Sequence, residues 1–472
     1  MLYRVGRKLL LRHPRLMAGP LGLAARLVPQ GMRYGKTFRG LRKSLRASQW
    51  WTHDQYADYQ RARLKETLEF AAYKIPFFRD HFRAHGVSPD DFRRLDDLGR
   101  FPTIDKRDVV RERDQMINPD LDQGQLMEFF SGGTSGSNVL YLFEETYRQR
   151  EQAFIWRMWN TVGYRHGAPT AILQGRECPA DVNDGLWYLD RVANAIVLSA
   201  HRLSRETAPR YLEAIERFKP TTLFAFPSLA HLLAGHAEAL GWTESPFGLL
   251  LCGSETLHSY QRELLERVFR APVRIHYGHT ESAALFSYCE HSDRYHVVPE
   301  YGFVEFLKED GAEAQPGEIG EIVATSFDNY AMPFVRFRTG DYAEVGHGQC
   351  ECKRAWPLVE NVHGRRSEFL RTRSGREYSP IMLEYLIDGL RGFEDLQLVQ
   401  EDIDNVRVRV VAGNGFDPAI LAGFVTQLNE YCEHELSITV EYMEMIPRTR
   451  RQKKQLLVSH LNDDDRPTTP PT

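Results

Sequence analysis

Between residues 125 and 340, short β-rich runs alternate with helical stretches, and this alternation limits the available folds more than any other feature. Buried strands are predicted at residues 168–174, 221–226, 248–252 and 273–277, and helices at residues 211–218, 229–240 and 259–269. A chain that alternates strands with helices favours an α/β sheet that contains parallel strands. The predicted fold class is therefore α/β.

The length of 472 residues exceeds what one hydrophobic core usually supports. The pattern changes after residue 362, where a helix, two strands, a helix and a strand follow within about a hundred residues, as in a separate α+β domain. The predicted organisation is a basic arm at residues 1–50, a large α/β domain at residues 51–362, a small α+β domain at residues 363–460, and a disordered tail at residues 461–472.

The charge is distributed unevenly. Residues 1–50 contain twelve Lys or Arg and no Asp or Glu; since the whole chain carries -4, the remainder carries -16. This arm either rests on anionic lipid or packs on the acidic body of the protein itself. Nucleic acid is not expected as a partner, because no motif that reads it is present.

Cysteine usage and hydropathy indicate the compartment. Six cysteines in a chain of 472 residues do not make a disulfide framework, and no run of 18 apolar residues occurs. The basic start is broken by Arg12, Pro14 and Arg15, unlike a secretory signal. A cytoplasmic location is therefore expected, with peripheral contact at the inner face of the membrane as a further expectation.

One loop has the composition of a phosphate cradle. Residues 129–137 read Phe-Phe-Ser-Gly-Gly-Thr-Ser-Gly-Ser, so backbone N–H groups and hydroxyls can point inward with little steric bulk. It is not a Walker loop, because no Gly-Lys-Ser/Thr follows. Taken by itself, such a loop is also typical of a plain turn.

Further motifs follow in a fixed order. Residues 277–281 read Tyr-Gly-His-Thr-Glu at the end of a predicted strand, residues 336–341 read Arg-Phe-Arg-Thr-Gly-Asp, and residues 364–365 read Gly-Arg. An aromatic ring at a strand end can stack on a purine, and a carboxylate can hold Mg²⁺. An Asp after a glycine turn can accept ribose hydroxyls.

This ordered set resembles the adenylate-forming superfamily, and within it the phenylacetate–CoA ligase-like family, in particular its capsule and polysaccharide-cluster branch. The resemblance covers about residues 50–460. It implies a large α/β domain with a small mobile α+β domain, and the cofactors ATP, Mg²⁺ and coenzyme A. It also implies activation of a small carboxylic acid to an acyl-AMP, followed by transfer to an acyl acceptor, either a thiol or a saccharide amine or hydroxyl.

The resemblance also assigns residues. Around the ATP phosphates it places Ser131, Gly132, Thr134, Ser135 and Gly136. Against the adenine side it places Tyr277, Gly278 and the segment Gly253, Ser254, Glu255. It places Thr280 near the α-phosphate and Glu281 near Mg²⁺. It places Asp341 near the ribose and Arg365 near the hinge.

Two positions depart from the family pattern. Gly136 leads into Ser-Asn-Val in place of the usual Gly-Lys or Gly-x-Pro continuation. The C-terminal motif Arg-Thr-x-x-Gly-Lys is Arg-Thr-Arg-Arg-Gln-Lys-Lys at residues 448–454, with Gln452 in place of the glycine. Lys453 stands at the catalytic lysine's position, and Lys454 is the alternative.

A second constellation predicts a metal site. Cys289 is followed by His291 and His296, and Cys350 and Cys352 form a Cys-x-Cys pair further along the chain. Three thiolates and one imidazole satisfy tetrahedral zinc, which in a closed site is structural. The resemblance favours His296 over His291 as the fourth ligand, and both remain open.

The predicted activity is therefore that of an acid–thiol ligase. The alternative is a non-catalytic homologue that acts as a scaffold in polysaccharide assembly, which the two departures favour. The acid is not identified by the sequence, although Trp156, Trp159, Phe226 and His276 are candidate pocket residues.

Overall fold

The computed structural model describes residues 30–130, 139–176, 178–365, 369–378, 383–387, 390, 392–413, 415–448 and 452–461. Its helices, in chain order, are α1 (Gln30–Ser48), α2 (His53–Lys74), α3 (Pro76–Ala84), α4 (Lys106–Met116), α5 (Tyr147–Thr161), α6 (Ala208–Phe218), α7 (Pro227–Ala239), α8 (Ser259–Phe269), α9 (Glu384–Ile387) and α10 (Pro418–Tyr431). Over these residues, none of the helices has the length and apolar character needed to span a bilayer.

The strands of the same residues are two to nine residues long. They are β1 (Met127–Phe130), β2 (Leu140–Phe143), β3 (Thr170–Gln174), β4 (Trp187–Asp190), β5 (Ala195–Ser199), β6 (Thr222–Ala225), β7 (Leu249–Gly253), β8 (Val273–Gly278), β9 (Leu285–Tyr288), β10 (Tyr295–Val297), β11 (Gly302–Leu307), β12 (Ile319–Ser326), β13 (Phe337–Val345), β14 (Leu358–Arg365), β15 (Leu370–Arg371), β16 (Glu377–Tyr378), β17 (Phe393–Gln400), β18 (Asn405–Ala412), β19 (Ser437–Tyr442) and β20 (Leu457–Ser459).

The chain divides into two compact units. Over the described residues, unit A contains residues 30–166 and His276–Val362, and unit B contains Gly167–Ile275 and the residues from 363 to 461. Each unit is therefore built from segments that are distant in sequence. The domain boundaries at residues 50 and 460 stay a prediction.

Unit A has an antiparallel sheet that packs against helices α2 and α3. Antiparallel pairs join β11 to β12, β12 to β13, β14 to β10, β10 to β9 and β9 to β8. Helix α2 begins with a capping box between Thr52 and Gln55, and its buried Leu64 and Leu68 lie in the core of the unit. Pro76 is the first residue of α3, so α2 stops before it.

The segment predicted as part of a basic arm is a helix over residues 30–48. Phe38 and Leu45 of α1 are buried, and they pack with Trp156 of α5 in one apolar cluster of unit A. Positions 34, 38, 41 and 45 are apolar at helical spacing, so α1 has a core-facing side that the charge count obscured. Residues 1–29 and the tail from residue 462 lie outside the described residues.

Unit B contains the parallel strands that the sequence predicts. Strands β5, β3, β6 and β7 are parallel neighbours in that order, and β4 adds an antiparallel edge beside β5. Helices α6, α7 and α8 follow β5, β6 and β7 in the chain, as in βαβ units. The predicted α/β class is confirmed.

The carboxy-terminal part of unit B is a smaller α+β domain with its own core. Its sheet has the order β19-β18-β17-β20, with antiparallel β17–β18 and parallel β18–β19 and β17–β20 pairs. Leu421, Phe424 and Leu428 of α10 pack with the apolar face of this sheet. This confirms the predicted α+β domain.

Candidate active site

Two residues that the resemblance assigns to one nucleotide lie together in unit A. The hydroxyl of Tyr277, near the end of β8, donates a hydrogen bond of 2.8 Å to Oδ2 of Asp341. Asp341 is buried at 8% exposure, and the Tyr277 ring packs against Phe286 with centroids 4.7 Å apart. An aromatic ring and an acceptor carboxylate therefore stand side by side, as stacking on a base and binding of its ribose require.

A bulge in β13 presents Asp341. The pairing of β12 with β13 shifts register between Glu321 and Val323, opposite Thr339 and Gly340. Gly340 has φ +74, a left-handed conformation that glycine adopts without strain. The Thr339 hydroxyl accepts from the Asp341 amide at 3.0 Å and donates to the Ile322 carbonyl at 2.8 Å. The bulge redirects the carboxylate away from the regular strand pleat.

The arginine that opens the same motif is structural in unit A. Arg336 forms a buried ion pair with Glu305, whose Oε1 lies 2.8 Å from Nη2. Its Nη1 also donates to the carbonyls of Gly99, at 3.0 Å, and Phe101. These bonds fix the segment that leads into Asp341, so Arg336 acts on the site through the backbone.

Glu281, the predicted Mg²⁺ ligand, accepts two hydrogen bonds within unit A. The Tyr141 hydroxyl donates to Oε1 at 2.5 Å, and Nδ1 of His279 lies 3.0 Å from Oε2. The amide of Ala284 donates to Nε2 of His279 at 3.0 Å. Because Nε2 accepts, a neutral His279 carries its proton on Nδ1 and donates it to Glu281.

This geometry keeps Glu281 ionised. Burial alone would raise its pKa, but the hydrogen bonds from His279 and Tyr141 outweigh burial and hold the pKa of Glu281 at about 2. Each oxygen retains a lone pair beyond the bond that it accepts, so the carboxylate can still hold a cation.

The sequence did not single out Tyr141 or His279. His279 occupies the variable position of Tyr-Gly-x-Thr-Glu, and Tyr141 follows the phosphate loop in the chain. The only signal for His279 was a titratable residue two positions before a predicted metal ligand. Tyr141 had none, because its contact with Glu281 spans 140 residues of sequence.

Fewer details of the surroundings of Thr280 and Arg365 bear on their predicted roles. Thr280 is half-buried, and its carbonyl accepts from the Ser282 hydroxyl at 3.4 Å. Arg365 ends β14 directly after Gly364, whose φ of +82 favours glycine. The five predicted phosphate-loop residues lie outside the described residues: Ser131, Gly132, Thr134, Ser135 and Gly136.

In unit B, the predicted residues follow the carboxyl ends of parallel strands, the edge at which α/β sheets bind ligands. Gly253 ends β7, and Ser254 has φ +70. Glu255 then points its carboxylate into the protein, where it accepts from the amides of Ser228 at 3.0 Å and Lys454 at 2.7 Å. Its assignment to the adenine side stays a prediction.

The two candidate lysines have different surroundings in unit B. The ammonium of Lys453 lies 5.7 Å from the centroid of Phe226, the residue that follows β6. The Lys454 side chain is 6% exposed, and its ammonium forms an ion pair with Asp395. The ammonium of Lys454 is therefore paired with Asp395, whereas the ammonium of Lys453 lies beside Phe226 at the end of β6.

Gln452, which stands in place of the family's glycine, has a backbone conformation that is typical of glycine. Gln452 has φ +62, in the left-handed region that glycine favours. A non-glycine residue in this region costs roughly 1 kcal/mol or more. The local conformation thus does not depend on the glycine, and the bonds made by Lys454 stabilise it.

The chain is similar to several known proteins. A sequence profile described as AMP-binding enzyme matches residues 186–328. The chain is 21% identical over 416 residues to Protein CapK of Staphylococcus aureus, with 86% of this chain and 89% of that protein covered. It is 25% identical over 342 residues to a phenylacetate-coenzyme A ligase of Escherichia coli (strain K12), with coverages of 70% and 76%.

These matches are consistent with the resemblance to the adenylate-forming superfamily.

A solved structure supports the fold of this superfamily. The chain matches a 2-hydroxyisobutyryl-CoA ligase, crystallised in the postadenylation state, with a TM-score of 0.70 and 15% identity. The match covers 87% of this chain and 91% of that one. The similarity in fold therefore includes residues of both units.

The four predicted zinc ligands converge in unit A. The ligand atoms of Cys289, His296, Cys350 and Cys352 all lie within 4.8 Å of one another, and all four residues are buried. Sγ of Cys289 and Cys350 are 3.3 Å apart, as are Sγ of Cys352 and Nε2 of His296. Three thiols and one imidazole fit tetrahedral zinc.

A backbone amide and a buried cation lie close to the cluster. The amide of His291 donates to Sγ of Cys289 at 3.3 Å, so His291 contributes its backbone while His296 contributes its ring. The buried guanidinium of Arg354 lies 5.5 Å from the Trp356 ring and pairs with Glu290 at 2.8 Å. Burial raises the pKa of Cys289 to about 12, so without a cation this thiol stays protonated.

The candidate pocket residues lie in different surroundings. Trp156 is 3% exposed and packs on Phe38, so it belongs to the core of unit A. Trp159 lies 6.5 Å from His276, ring centroid to ring centroid. These two rings remain candidates for the acid pocket.

Proposed function

We propose that the protein is an adenylate-forming acid–CoA ligase. It would convert a small carboxylic acid and ATP to an acyl-AMP and pyrophosphate, and then transfer the acyl group to the thiol of coenzyme A. The observation that carries this proposal is the hydrogen bond between Tyr277 and Asp341. It joins an aromatic ring to a buried carboxylate, which is the pair that one nucleoside needs.

In the first step, an oxygen of the substrate carboxylate attacks the α-phosphorus of ATP, the bond to the bridging oxygen breaks, and pyrophosphate leaves. Such transfers depend on positioning and charge neutralisation, so no protein nucleophile is required. The ammonium of Lys453 would offset the charge that develops on the α-phosphate. Mg²⁺, when bound, would neutralise phosphate oxygens, and Glu281 is the side chain that would hold it.

In the second step, the sulfur of coenzyme A attacks the acyl carbon, AMP leaves, and the thiol proton passes to solvent. A saccharide amine or hydroxyl in cell-envelope polysaccharide synthesis is the alternative acceptor. The non-catalytic scaffold is the competing function. The ionised Glu281, which accepts hydrogen bonds from Tyr141 and His279, favours catalysis, because an ionised carboxylate without a cationic Lys or Arg partner among these hydrogen bonds is suited to hold Mg²⁺.

ATP–pyrophosphate exchange with a panel of acids tests this function, starting with phenylacetate and 2-hydroxyisobutyrate. We expect at least one acid to support exchange, and Glu281→Gln to reduce it about a hundredfold or more, since the amide loses the charge that neutralises Mg²⁺. Glu313→Gln, at an exposed position of unit A, is the matched control. Full exchange in a folded Glu281→Gln variant would contradict the role of Glu281, and no exchange with any acid would favour the scaffold.

We also propose a structural zinc ion at Cys289, His296, Cys350 and Cys352. The convergence of the four ligand atoms within 4.8 Å supports it. Four protein ligands leave no open coordination position, which argues for a structural and not a catalytic role.

Finally, we propose that the protein works in the reducing cytoplasm at the inner face of the membrane. Four cations of α1 point to solvent at positions i, i+3, i+7 and i+10, and we call them the basic stripe: Lys36, Arg39, Lys43 and Arg46. Trp50, 58% exposed, follows the stripe. Because the apolar face of α1 packs inside unit A, contact with anionic lipid would be electrostatic and would not need insertion of the helix.

A further inference from the structure

Glu255 links two distant segments of unit B through the backbone. Its Oε2 accepts from the amide of Ser228, in the first turn of α7, and its Oε1 accepts from the amide of Lys454. The first amides of a helix have no partner within the helix, and the helix dipole favours an anion there. One carboxylate thus caps α7 and holds the segment that contains Lys453.

A second carboxylate reinforces this attachment. Asp395, at the irregular start of β17, pairs with the ammonium of Lys454 and lies 3.6 Å from a guanidinium nitrogen of Arg448. Arg448 in turn donates to the Ser228 hydroxyl at 2.7 Å. The cluster combines two carboxylates with two cations, so its formal charge is balanced within the protein.

The attachment has a geometric consequence for Lys453. The Lys454 amide is fixed by Glu255 and its side chain by Asp395, so the backbone on the carboxyl side of Lys453 cannot move freely. On the other side of Lys453, Gln452 is in a left-handed conformation that is unfavourable without support. Lys453 then extends to Phe226, the N-cap residue of the same helix α7.

We propose that Glu255 is a positioning residue that aims Lys453 during adenylation. Glu255 does not touch the reacting atoms; it fixes the peptide bond next to the lysine. A flexible lysine gains catalytic effect only when it is held in place, and a displacement of about 1 Å can cost about a hundredfold in rate. This proposal rests on the proposed function, since it takes Lys453 as the lysine that acts on the α-phosphate.

The test compares Glu255→Gln with Glu263→Gln, an exposed glutamate on α8. In Glu255→Gln an amide group faces one of two N–H donors, so one hydrogen bond is lost. We expect hydrogen–deuterium exchange at the Lys454 amide to speed up about tenfold or more. Acid-dependent ATP–pyrophosphate exchange should fall by about 10- to 100-fold, while transfer from synthetic acyl-AMP to coenzyme A changes less than about twofold. Glu263→Gln should change none of the three.

A double-mutant cycle separates positioning from a general structural role. If Glu255 acts through Lys453, then Glu255→Gln has no further effect on adenylation in the Lys453→Ala background. Equal losses in both half-reactions, additive losses in the cycle, or unchanged exchange at the Lys454 amide would each overturn the proposal. Loss in Lys453→Ala without loss in Glu255→Gln overturns the positioning role alone. No loss in Lys453→Ala removes the lysine assignment itself, and with it this proposal.

Discussion

Replacing one zinc ligand should remove both the metal and a measurable part of the stability. In Cys350→Ser, a hydroxyl takes the place of a buried sulfur that lies 3.3 Å from Sγ of Cys289. A neutral serine hydroxyl is a poor zinc ligand, and three remaining ligands cannot close the tetrahedron. We therefore expect the variant to be purified with less than about one tenth of a zinc per chain, against close to one for the unchanged protein.

The size of the stability loss follows from the position of the cluster. Structural zinc contributes about 10–16 kcal/mol to small zinc-finger peptides that have no other core. Here the ligands pack with Leu358 inside unit A, which has a large apolar core of its own. A folded state with free zinc at about a thousand times the dissociation constant gains about 4 kcal/mol. For a unit of this size, that corresponds to a melting temperature lower by about 8–16 °C.

The assay is metal analysis by mass spectrometry together with thermal unfolding, with and without a chelator. Cys432→Ser is the matched control, since Cys432 is fully buried but lies in the carboxy-terminal α+β domain, away from the metal ligands. The control should lose some packing but keep its zinc. Chelation should destabilise the unchanged protein and the control but not Cys350→Ser. A preparation that contains no metal yet melts at the same temperature as the zinc-loaded protein would refute the reasoning.

Three further predictions concern the lysines, a buried histidine and the basic stripe. Lys453→Ala should slow adenylation about a hundredfold or more without lowering stability. Lys454→Met should cost about 1.5–3 kcal/mol in urea unfolding, because Asp395 loses its lysine partner and keeps only Arg448. The reverse pattern would exchange the roles of the two lysines. Burial lowers the pKa of His231 to about 3, so below pH 6.5 the unfolded chain binds a proton that the folded chain does not. The contribution of neutral His231 to the free energy of unfolding should therefore be fully present above pH 6.5. It should be lost as the pH falls toward 3, by at most about 1.4 kcal/mol per pH unit. The unfolding free energy of His231→Gln should lack this part of the pH dependence. Changing the four cations of the basic stripe to glutamate should abolish salt-sensitive co-sedimentation with phosphatidylserine vesicles; equal binding to neutral vesicles would contradict the electrostatic account.

Much of the fold could be predicted because its signals are local. The predicted strand at residues 168–174 and helix at residues 259–269 match β3 (Thr170–Gln174) and α8 (Ser259–Phe269), since apolar runs and amphipathic periodicity are properties of neighbouring residues. For helix α1 the sequence left open whether the basic arm packs on the protein itself, because the twelve cations of residues 1–50 obscured the apolar positions of Phe38 and Leu45, which face a core. That core is formed by α5, more than a hundred residues away in the chain.

The candidate site shows the same division. The order of the motifs identified Tyr277, Glu281 and Asp341, because each motif is a short run whose chemistry can be read from its residues. The hydrogen-bond partners that fix the site could not be predicted from the sequence. Tyr141 reaches Glu281 across 140 residues, and Glu255 reaches Lys454 across 199 residues.

By itself, the sequence predicted the resemblance to adenylate-forming enzymes, the α/β and α+β classes, and the donor set of the proposed metal site, because residue type and spacing indicate these. Only the tertiary structure decided between alternatives that are adjacent in sequence. It brought the ring of His296 to the three cysteines and left His291 to contribute its backbone amide. It buried Lys454 against Asp395 and left Lys453 beside Phe226. Adjacent residues have nearly the same local context, so what separates them is burial and the charge of partners that folding brings from elsewhere in the chain.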